Sequence, residues 1–153
     1  MPDVHISPHF TWDELTRTSH ADLQAGNRNV PPALVQTAHA LCWGILEPIR
    51  NQFGKPVVVH SGFRGADLNV KVGGSKRSQH MQFGACDFHI PGHTDEEVWK
   101  WIAKSGLPFG QVIWEPSWTH VSVGWPLYPK EKSGRVMTYD GQQYELVERI
   151  PPA

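Results

Sequence analysis

The chain has 153 residues, which is the length of one domain. With 39% hydrophobic residues and seven Trp, it is too apolar and aromatic for a disordered protein. Fourteen Lys and Arg residues oppose fifteen Asp and Glu residues, so the charge gives no reason to expect nucleic acid or an anionic membrane as a partner. The nine His residues stand out, because histidine is both the commonest metal ligand and a general acid–base group.

The sequence shows neither a membrane anchor nor a disulfide framework. No apolar run approaches the ~18 residues that a membrane span requires, and the first residues lack the features of a signal peptide. We therefore expect a cytoplasmic protein without a signal peptide. Cys42 and Cys86 are the only cysteines and lie far apart in the sequence, so we expect two small buried hydrophobic residues.

The first half of the chain predicts mainly helices. The segment from Thr11 to Glu14 has the form of a capping box and predicts a short helix. After Pro31, apolar residues recur every three or four positions up to Ile49 and predict a long helix, which Pro48 should kink or end early. The β-branched run from Pro56 to His60 predicts a buried strand.

The second half predicts mainly strands. Residues 61–82 are polar and glycine-rich and predict a loop with at most one short helix, from Ala66 to Val70. We expect strands at residues 85–90, 111–114 and 119–123, a helix after a second capping box at Thr94, and a final hairpin over residues 135–147. Because helices come first and most strands later, the order predicts an α+β fold with a mainly antiparallel sheet.

The segment from Ser78 to Asp87 carries the most informative pattern. His80 and Asp87 lie on either side of Gly84, which allows a tight turn, so a loop histidine and a strand carboxylate can converge on one cation. His120 lies on a later predicted strand and is a third potential ligand. Two histidines and one carboxylate leave one position of a zinc ion open for water, which is typical of a catalytic site.

Several short motifs in order along the chain make the sequence recognisable. They are Ser61-Gly62-Phe63-Arg64, Leu68-Asn69, Val72-Gly73-Gly74, Ser78-Gln79-His80, Gly84-Ala85, Asp87 and Trp118-Thr119-His120. Together they resemble the zinc D-Ala-D-Ala carboxypeptidase family, especially its small phage and bacterial members that cut peptidoglycan stem peptides. The opening segment from Ser7 to Thr11 is also similar to that subgroup, and the resemblance covers most of the chain up to Val123.

This resemblance implies a small α+β domain of the hedgehog and D,D-peptidase type over residues 1–153, with a core at residues 7–125 and a zinc site in a cleft. It implies that His80, Asp87 and His120 hold one zinc ion and that Arg64 is the cation near the reacting carbonyl group. The implied partners are peptidoglycan stem peptides, met by a monomer that acts on the cell wall after release or as part of a virion. Arg64 suits its role, because a permanently charged guanidinium can stabilise an oxyanion or hold a substrate carboxylate.

A hydrolase of this kind also needs a base that takes a proton from water and returns it to the leaving amine. Many relatives place an acidic residue three positions before the last histidine ligand, but Ser117 stands there in this chain. Glu115 lies two residues further back, and Pro116 predicts a turn that can bring it over the metal. We therefore interpret Glu115 as the general base.

Other histidines have a familiar metal spacing without the geometry to use it. His89 and His93 are four residues apart, as are His5 and His9. Such a pair converges only on one face of a helix, and a proline between the members of each pair forbids that helix. His60 is interpreted as a structural residue near the cleft.

The exact function stays open between several readings. The enzyme could remove a terminal D-Ala as a D,D-carboxypeptidase, or cut an L-Ala-D-Glu bond or a crosslink as an endopeptidase, for instance as a phage endolysin. The alternative is a non-catalytic zinc-containing domain that binds cell wall or builds a virion, which the serine at position 117 favours. A weaker alternative is a hydrolase with Cys86 as its nucleophile, although Cys86 should point to the opposite face of its strand from Asp87.

Overall fold

The computed structural model describes residues 4–149, with side chains up to residue 147, so both ends of the predicted domain lie outside the described residues. The main sheet contains β3 (Val58–Ser61), β4 (Ala85–His89), β5 (Phe109–Trp114), β6 (Thr119–Val123), β7 (Arg135–Tyr139) and β8 (Tyr144–Arg149). The order across the sheet is β3-β4-β6-β5-β7-β8, and all neighbours are antiparallel except β5 and β7. A separate pair, β1 (His5–Ser7) and β2 (Phe10–Thr11), opens the chain.

Six α-helices accompany the sheet in the described part of the chain. They are α1 (Trp12–Thr16), α2 (Gln24–Asn27), α3 (Val35–Leu41), α4 (Glu47–Phe53), α5 (Ala66–Lys71) and α6 (Asp95–Lys104). Both predicted capping boxes provide an N-cap: Thr11 Oγ1 accepts from the Glu14 N–H at 3.1 Å. Thr94 Oγ1 accepts from the Glu97 N–H at 3.1 Å. The α+β fold with a mainly antiparallel sheet is confirmed. None of the helices in residues 4–149 has the length and apolar character to span a membrane.

The long helix continues past Pro48, which does not end it early. A π-helical segment at Cys42–Leu46 joins α3 to α4, directly before the proline. Proline lacks an N–H and clashes with the carbonyl group one turn earlier, and the wider π turn relieves both problems. The helix ends at Gly54, whose φ of 61° is left-handed, as glycine at this place predicts.

β3 is an edge strand, so the prediction of a buried strand was wrong. Within residues 4–149 it pairs only with β4, and Val58 is 36% exposed. The buried member of the β-branched run is Val57, just before the strand. A β-branched run has the same appearance in an edge strand and in a central strand, because β-branching favours any pleated surface.

The two faces of the sheet have different chemistry. Cys86, Val121, Val112 and Val136 are successive partners across β4, β6, β5 and β7, and each is at most 1% exposed. This row packs against the helices in the hydrophobic core. The next residue on each strand points to the opposite face, because side chains alternate along a strand.

Burial settles the alternative of a cysteine nucleophile. Cys86 is completely buried in the core, on the face opposite Asp87. Burial raises the pKa of the Cys86 thiol well above its ordinary value, so the reactive thiolate is not formed at neutral pH. Cys42 is also buried, and both residues are free thiols, as predicted.

Glu47 of α4 ties the N-terminal strand pair to the core. It is 6% exposed and accepts hydrogen bonds from Ser7 Oγ at 2.7 Å, the His9 N–H at 2.8 Å and His9 Nδ1 at 2.6 Å. Burial acts to raise the pKa of Glu47, but the hydrogen bonds from Ser7 and His9 outweigh it and hold this pKa below its ordinary value.

We expect Glu47→Gln to lower the free energy of unfolding by about 1–3 kcal/mol at neutral pH, because the amide oxygen cannot accept all three bonds as a charged acceptor does. A depressed folded-state pKa gives stability that is present above the unfolded-state pKa and is lost as the pH falls through the folded-state pKa. The difference between the two proteins should therefore shrink in acid. Urea unfolding at neutral pH and at pH ~3 measures it, and an equal difference at both values would contradict the assignment.

Candidate metal centre

Three side chains that can bind a metal meet on the face of the sheet opposite the hydrophobic core. Asp87 on β4 lies directly opposite His120 on β6. His80 comes from a short 3-10 helix at Gln79–Gln82, which precedes β4. The three residues are 6%, 9% and 3% exposed, respectively, and their potential ligand atoms all lie within 4.8 Å of one another.

A hydrogen bond on the far side of its ring fixes the orientation of His80. Nδ1 lies 2.7 Å from the carbonyl oxygen of Gly62 and must donate to it, so Nε2 carries the lone pair. A Cβ at Gly62 would lie 2.4 Å from the carbonyl oxygen of Leu15, so glycine alone allows this close approach. The Gly in the Ser61-Gly62-Phe63-Arg64 motif thus lets the backbone that carries this acceptor pass against Leu15.

The lone pair of His80 faces a carboxylate. His80 Nε2 is 3.3 Å from Asp87 Oδ2, and His120 Nδ1 is 2.8 Å from Asp87 Oδ1. Two electron-rich atoms such as Nε2 and a carboxylate oxygen repel each other unless a proton or a cation lies between them. The 3.3 Å between His80 Nε2 and Asp87 Oδ2 matches the ~3.3 Å that separates ligands bound about 2.0 Å from a tetrahedral zinc ion, whereas the 2.8 Å between His120 Nδ1 and Asp87 Oδ1 is a hydrogen-bond distance.

The protonation states also suit a metal. Burial lowers the pKa of His80 and outweighs the opposite effect of Asp87, so the imidazole is neutral at neutral pH. Burial acts to raise the pKa of Asp87, but the two histidines beside it, His80 first and then His120, outweigh burial and hold this pKa well below its ordinary value. The neutral imidazole of His80 and the ionised carboxylate of Asp87 are forms that bind metal, and a set of two nitrogens and one oxygen fits zinc.

The cluster lines a cleft of about 510 Å³. Arg64 and Glu115 line the same cleft, so the structure brings together all five residues that the sequence singled out for the site. The lining also includes Arg77, Ser78, Gln79, Gln111, Ile113, Trp118, Met137 and Tyr144. Such a cleft beside a group of convergent polar side chains is the usual form of a small-molecule or peptide site.

Arg64 is held by the same turn that carries His80. Its N–H donates to the His80 carbonyl oxygen at 3.0 Å, and its Nη2 donates to Ser78 Oγ at 3.0 Å. The buried Nε has no hydrogen-bond partner among residues 4–149. Burial lowers the pKa of Arg64, while Asp87 and Glu115 act to raise it, and a guanidinium stays charged throughout. The cleft therefore contains a fixed positive charge, and the Nε–H of this guanidinium has no acceptor among residues 4–149.

Glu115 lies in the turn between β5 and β6. Its N–H donates to the Trp118 carbonyl oxygen at 3.0 Å, and Trp118 Nε1 donates to Glu115 Oε2 at 2.6 Å. Burial, followed by the charge of Asp87, raises the pKa of Glu115 above its ordinary value, which suits a group that must accept and return a proton. The contact between Glu115 and Trp118 was not predicted from the sequence, where the turn at Pro116 was the available signal.

The histidines set aside earlier have other partners. His89 Nδ1 lies 2.6 Å from His60 Nε2, at the edge of the sheet. His93 contacts Glu97 Oε1, one helical turn further along. Neither member of the His89 and His93 pair therefore turns towards a shared ion.

The comparison with known proteins agrees with this geometry. A family model described as peptidase M15 matches residues 8–122, well over half of the chain, and this span contains all five site residues. No curated protein matches the chain. The resemblance found in the sequence is confirmed: the chain belongs to the peptidase M15 family, the family of the zinc D-Ala-D-Ala carboxypeptidases.

Proposed function

We propose that this protein is a zinc metallopeptidase that hydrolyses an amide bond in peptidoglycan stem peptides. The observation that supports this most strongly is the convergence of His80 Nε2 and His120 Nδ1 on the buried carboxylate of Asp87. These three residues are the proposed zinc ligands. Residues 1–153 would then act as one peptidase domain.

Glu115 and Arg64 have the other catalytic roles in this proposal. Held by His80, Asp87 and His120, a zinc ion would lower the pKa of water from ~15.7 towards ~7 and would polarise the scissile carbonyl group. Glu115 takes a proton from the attacking water and delivers it to the leaving amine. Trp118 Nε1 holds Oε2 of that carboxylate, which leaves Oε1 for the proton. Arg64 donates to the carbonyl oxygen as negative charge develops on it.

The charge of the cleft suits a stem peptide. Arg64 and Arg77 line it on the side of the loop before β4, and Ile113 and Met137 line it from β5 and β7. A stem peptide offers matching groups, because its D-Glu and terminal residues carry carboxylates and its alanines carry small apolar side chains. The scissile bond is proposed to be D-Ala-D-Ala, or L-Ala-D-Glu as in an endopeptidase or phage endolysin.

Hydrolysis of defined muropeptides tests the proposal. Zinc-loaded protein is incubated with each muropeptide, and mass spectrometry identifies the fragments. We expect cleavage at one amide bond, loss of this cleavage with a chelator, and recovery on addition of zinc. A product level equal to that of Glu115→Gln would instead support a non-catalytic zinc domain that binds the cell wall.

We expect Arg64→Lys to lower kcat/KM by about 10²-fold and leave the zinc content unchanged, because a point charge replaces a planar fork of donors. Steady-state kinetics and metal analysis measure both quantities. Arg28→Lys is the matched control, since Arg28 pairs with Asp13 away from the cleft. Normal kinetics of Arg64→Lys would remove Arg64 from the proposed role.

A further inference from the structure

The C-terminal hairpin contributes to the cleft although it lies outside the family match. The family model ends at residue 122, whereas β7 and β8 cover Arg135–Tyr139 and Tyr144–Arg149. Met137 of β7 and Tyr144 of β8 nevertheless line the same cleft as Asp87. Met137 and Tyr144 therefore form a wall of the cleft that the family match does not account for.

The strand register explains how the hairpin reaches the site. His120 on β6 is opposite Ile113 on β5, and Ile113 is in turn opposite Met137 on β7. Opposite residues share one face of a sheet, so Met137 lies on the face that carries Asp87 and His120. Tyr144 lies opposite Tyr139 on that face, with the ring centroids 4.4 Å apart.

The hairpin is fixed to the body of the protein. Val136 is 1% exposed and belongs to the hydrophobic core. Trp99 Nε1 of α6 donates to the Met137 carbonyl oxygen at 3.0 Å. The wall therefore has a defined position relative to the zinc ligands.

Tyr144 combines a free surface with proximity to the charged groups of the cleft. Its side chain is 55% exposed, although it is aromatic and lines the cleft. Burial of part of the ring raises the pKa of Tyr144, and the charges of Glu115 and Asp87 add to this effect. The phenol is therefore neutral and can donate a hydrogen bond at neutral pH.

We propose that Tyr144 and Met137 form a substrate-binding wall that selects an alanine residue beside the scissile amide. The Tyr144 ring and the Met137 thioether contact the alanine methyl group, and the Tyr144 hydroxyl donates to a peptide carbonyl oxygen. Arg64 and Arg77 line the same cleft as this wall, so one bound peptide can present a methyl group to the wall and a carboxylate to an arginine. The proposal rests on the proposed peptidase function.

Equilibrium binding tests the wall separately from turnover. Zinc-loaded full-length Glu115→Gln protein is titrated with an uncleaved stem peptide. It is also titrated with the same peptide in which glycine replaces the alanine beside the scissile amide. We expect the alanine peptide to bind about tenfold more tightly, the value of one buried methyl group. Adding Tyr144→Ala should weaken binding of the alanine peptide about tenfold and reduce the preference for alanine to below about twofold.

Leu146→Ala is the matched control, because Leu146 is on the same strand and face, is 60% exposed, and does not line the cleft. It should leave both affinities within about twofold. Zinc content and Tm are measured for each variant. If Tyr144→Ala is unfolded, Tyr144→Phe replaces it and should weaken both peptides about threefold through loss of the hydroxyl alone.

The outcomes separate the wall from the peptidase function. The wall would be overturned by equal effects of Tyr144→Ala and Leu146→Ala, by an unchanged preference for alanine in Tyr144→Ala, or by a stem peptide that does not bind. Where Tyr144→Phe is the variant used, unchanged affinities would overturn the wall. If the binding differences hold but wild-type protein hydrolyses none of the muropeptides, the wall stands and the peptidase function fails. If hydrolysis occurs without the binding differences, only the wall fails.

Discussion

His80→Ala and Asp87→Asn should each reduce bound zinc from about one equivalent to below about a tenth, and should abolish hydrolysis. Each change removes one of three ligands, and the two that remain cannot hold the ion against a competing chelator. Because the metal contributes several kcal/mol to the transition state, we expect kcat/KM to fall by at least about 10³-fold. Metal analysis after dialysis and kinetics on a muropeptide measure the two effects.

The control for these variants is His93→Ala. His93 contacts Glu97 and the Phe53 ring away from the cleft, so its loss should leave zinc content and kcat/KM within about twofold of wild type. Full zinc occupancy in both His80→Ala and Asp87→Asn would remove these residues from the coordination sphere. It would also place the metal of this family member elsewhere in the chain.

Glu115→Gln should keep its zinc and lose turnover, by about 10² to 10⁴ in kcat. The amide keeps the size of the side chain and can still accept from Trp118 Nε1, but it cannot take a proton from water. Metal loss and loss of the base are therefore separable: the ligand variants lose both zinc and activity, and this variant loses activity alone.

Glu96→Gln provides the comparison for this prediction. Glu96 is an exposed residue of α6 that pairs with Lys100 at 3.7 Å and does not line the cleft. Its kcat should stay within about twofold of wild type. Wild-type turnover in Glu115→Gln would assign the base to another group. It would leave open which residue is the base in a chain that has Ser117 three positions before His120.

The local part of the site could be predicted from the sequence. His80 and Asp87 are separated by one turn and one strand start, and the motif around them has few ways to fold. Thr11 and Thr94 likewise predict the starts of their helices, because a capping side chain bonds only to a backbone N–H in the first turn of its own helix. In each case the determining contacts lie within a few residues of chain.

The parts that could not be predicted depend on contacts between distant segments. Nothing near Pro48 shows that a π segment would carry the helix past it. The run before His60 does not reveal that β3 has one neighbour rather than two. Tyr144 and Met137 enter the cleft only because β7 pairs with β5 in parallel, and a register between separated strands leaves no local pattern.

The central claim is that His80, Asp87 and His120 hold one zinc ion. Anomalous diffraction at the zinc edge, from crystals grown with added zinc, measures this directly. We expect a peak about 2.0–2.2 Å from His80 Nε2, His120 Nδ1 and a carboxylate oxygen of Asp87. A map without a peak between these atoms, with the two imidazole rings turned away from each other, would contradict it.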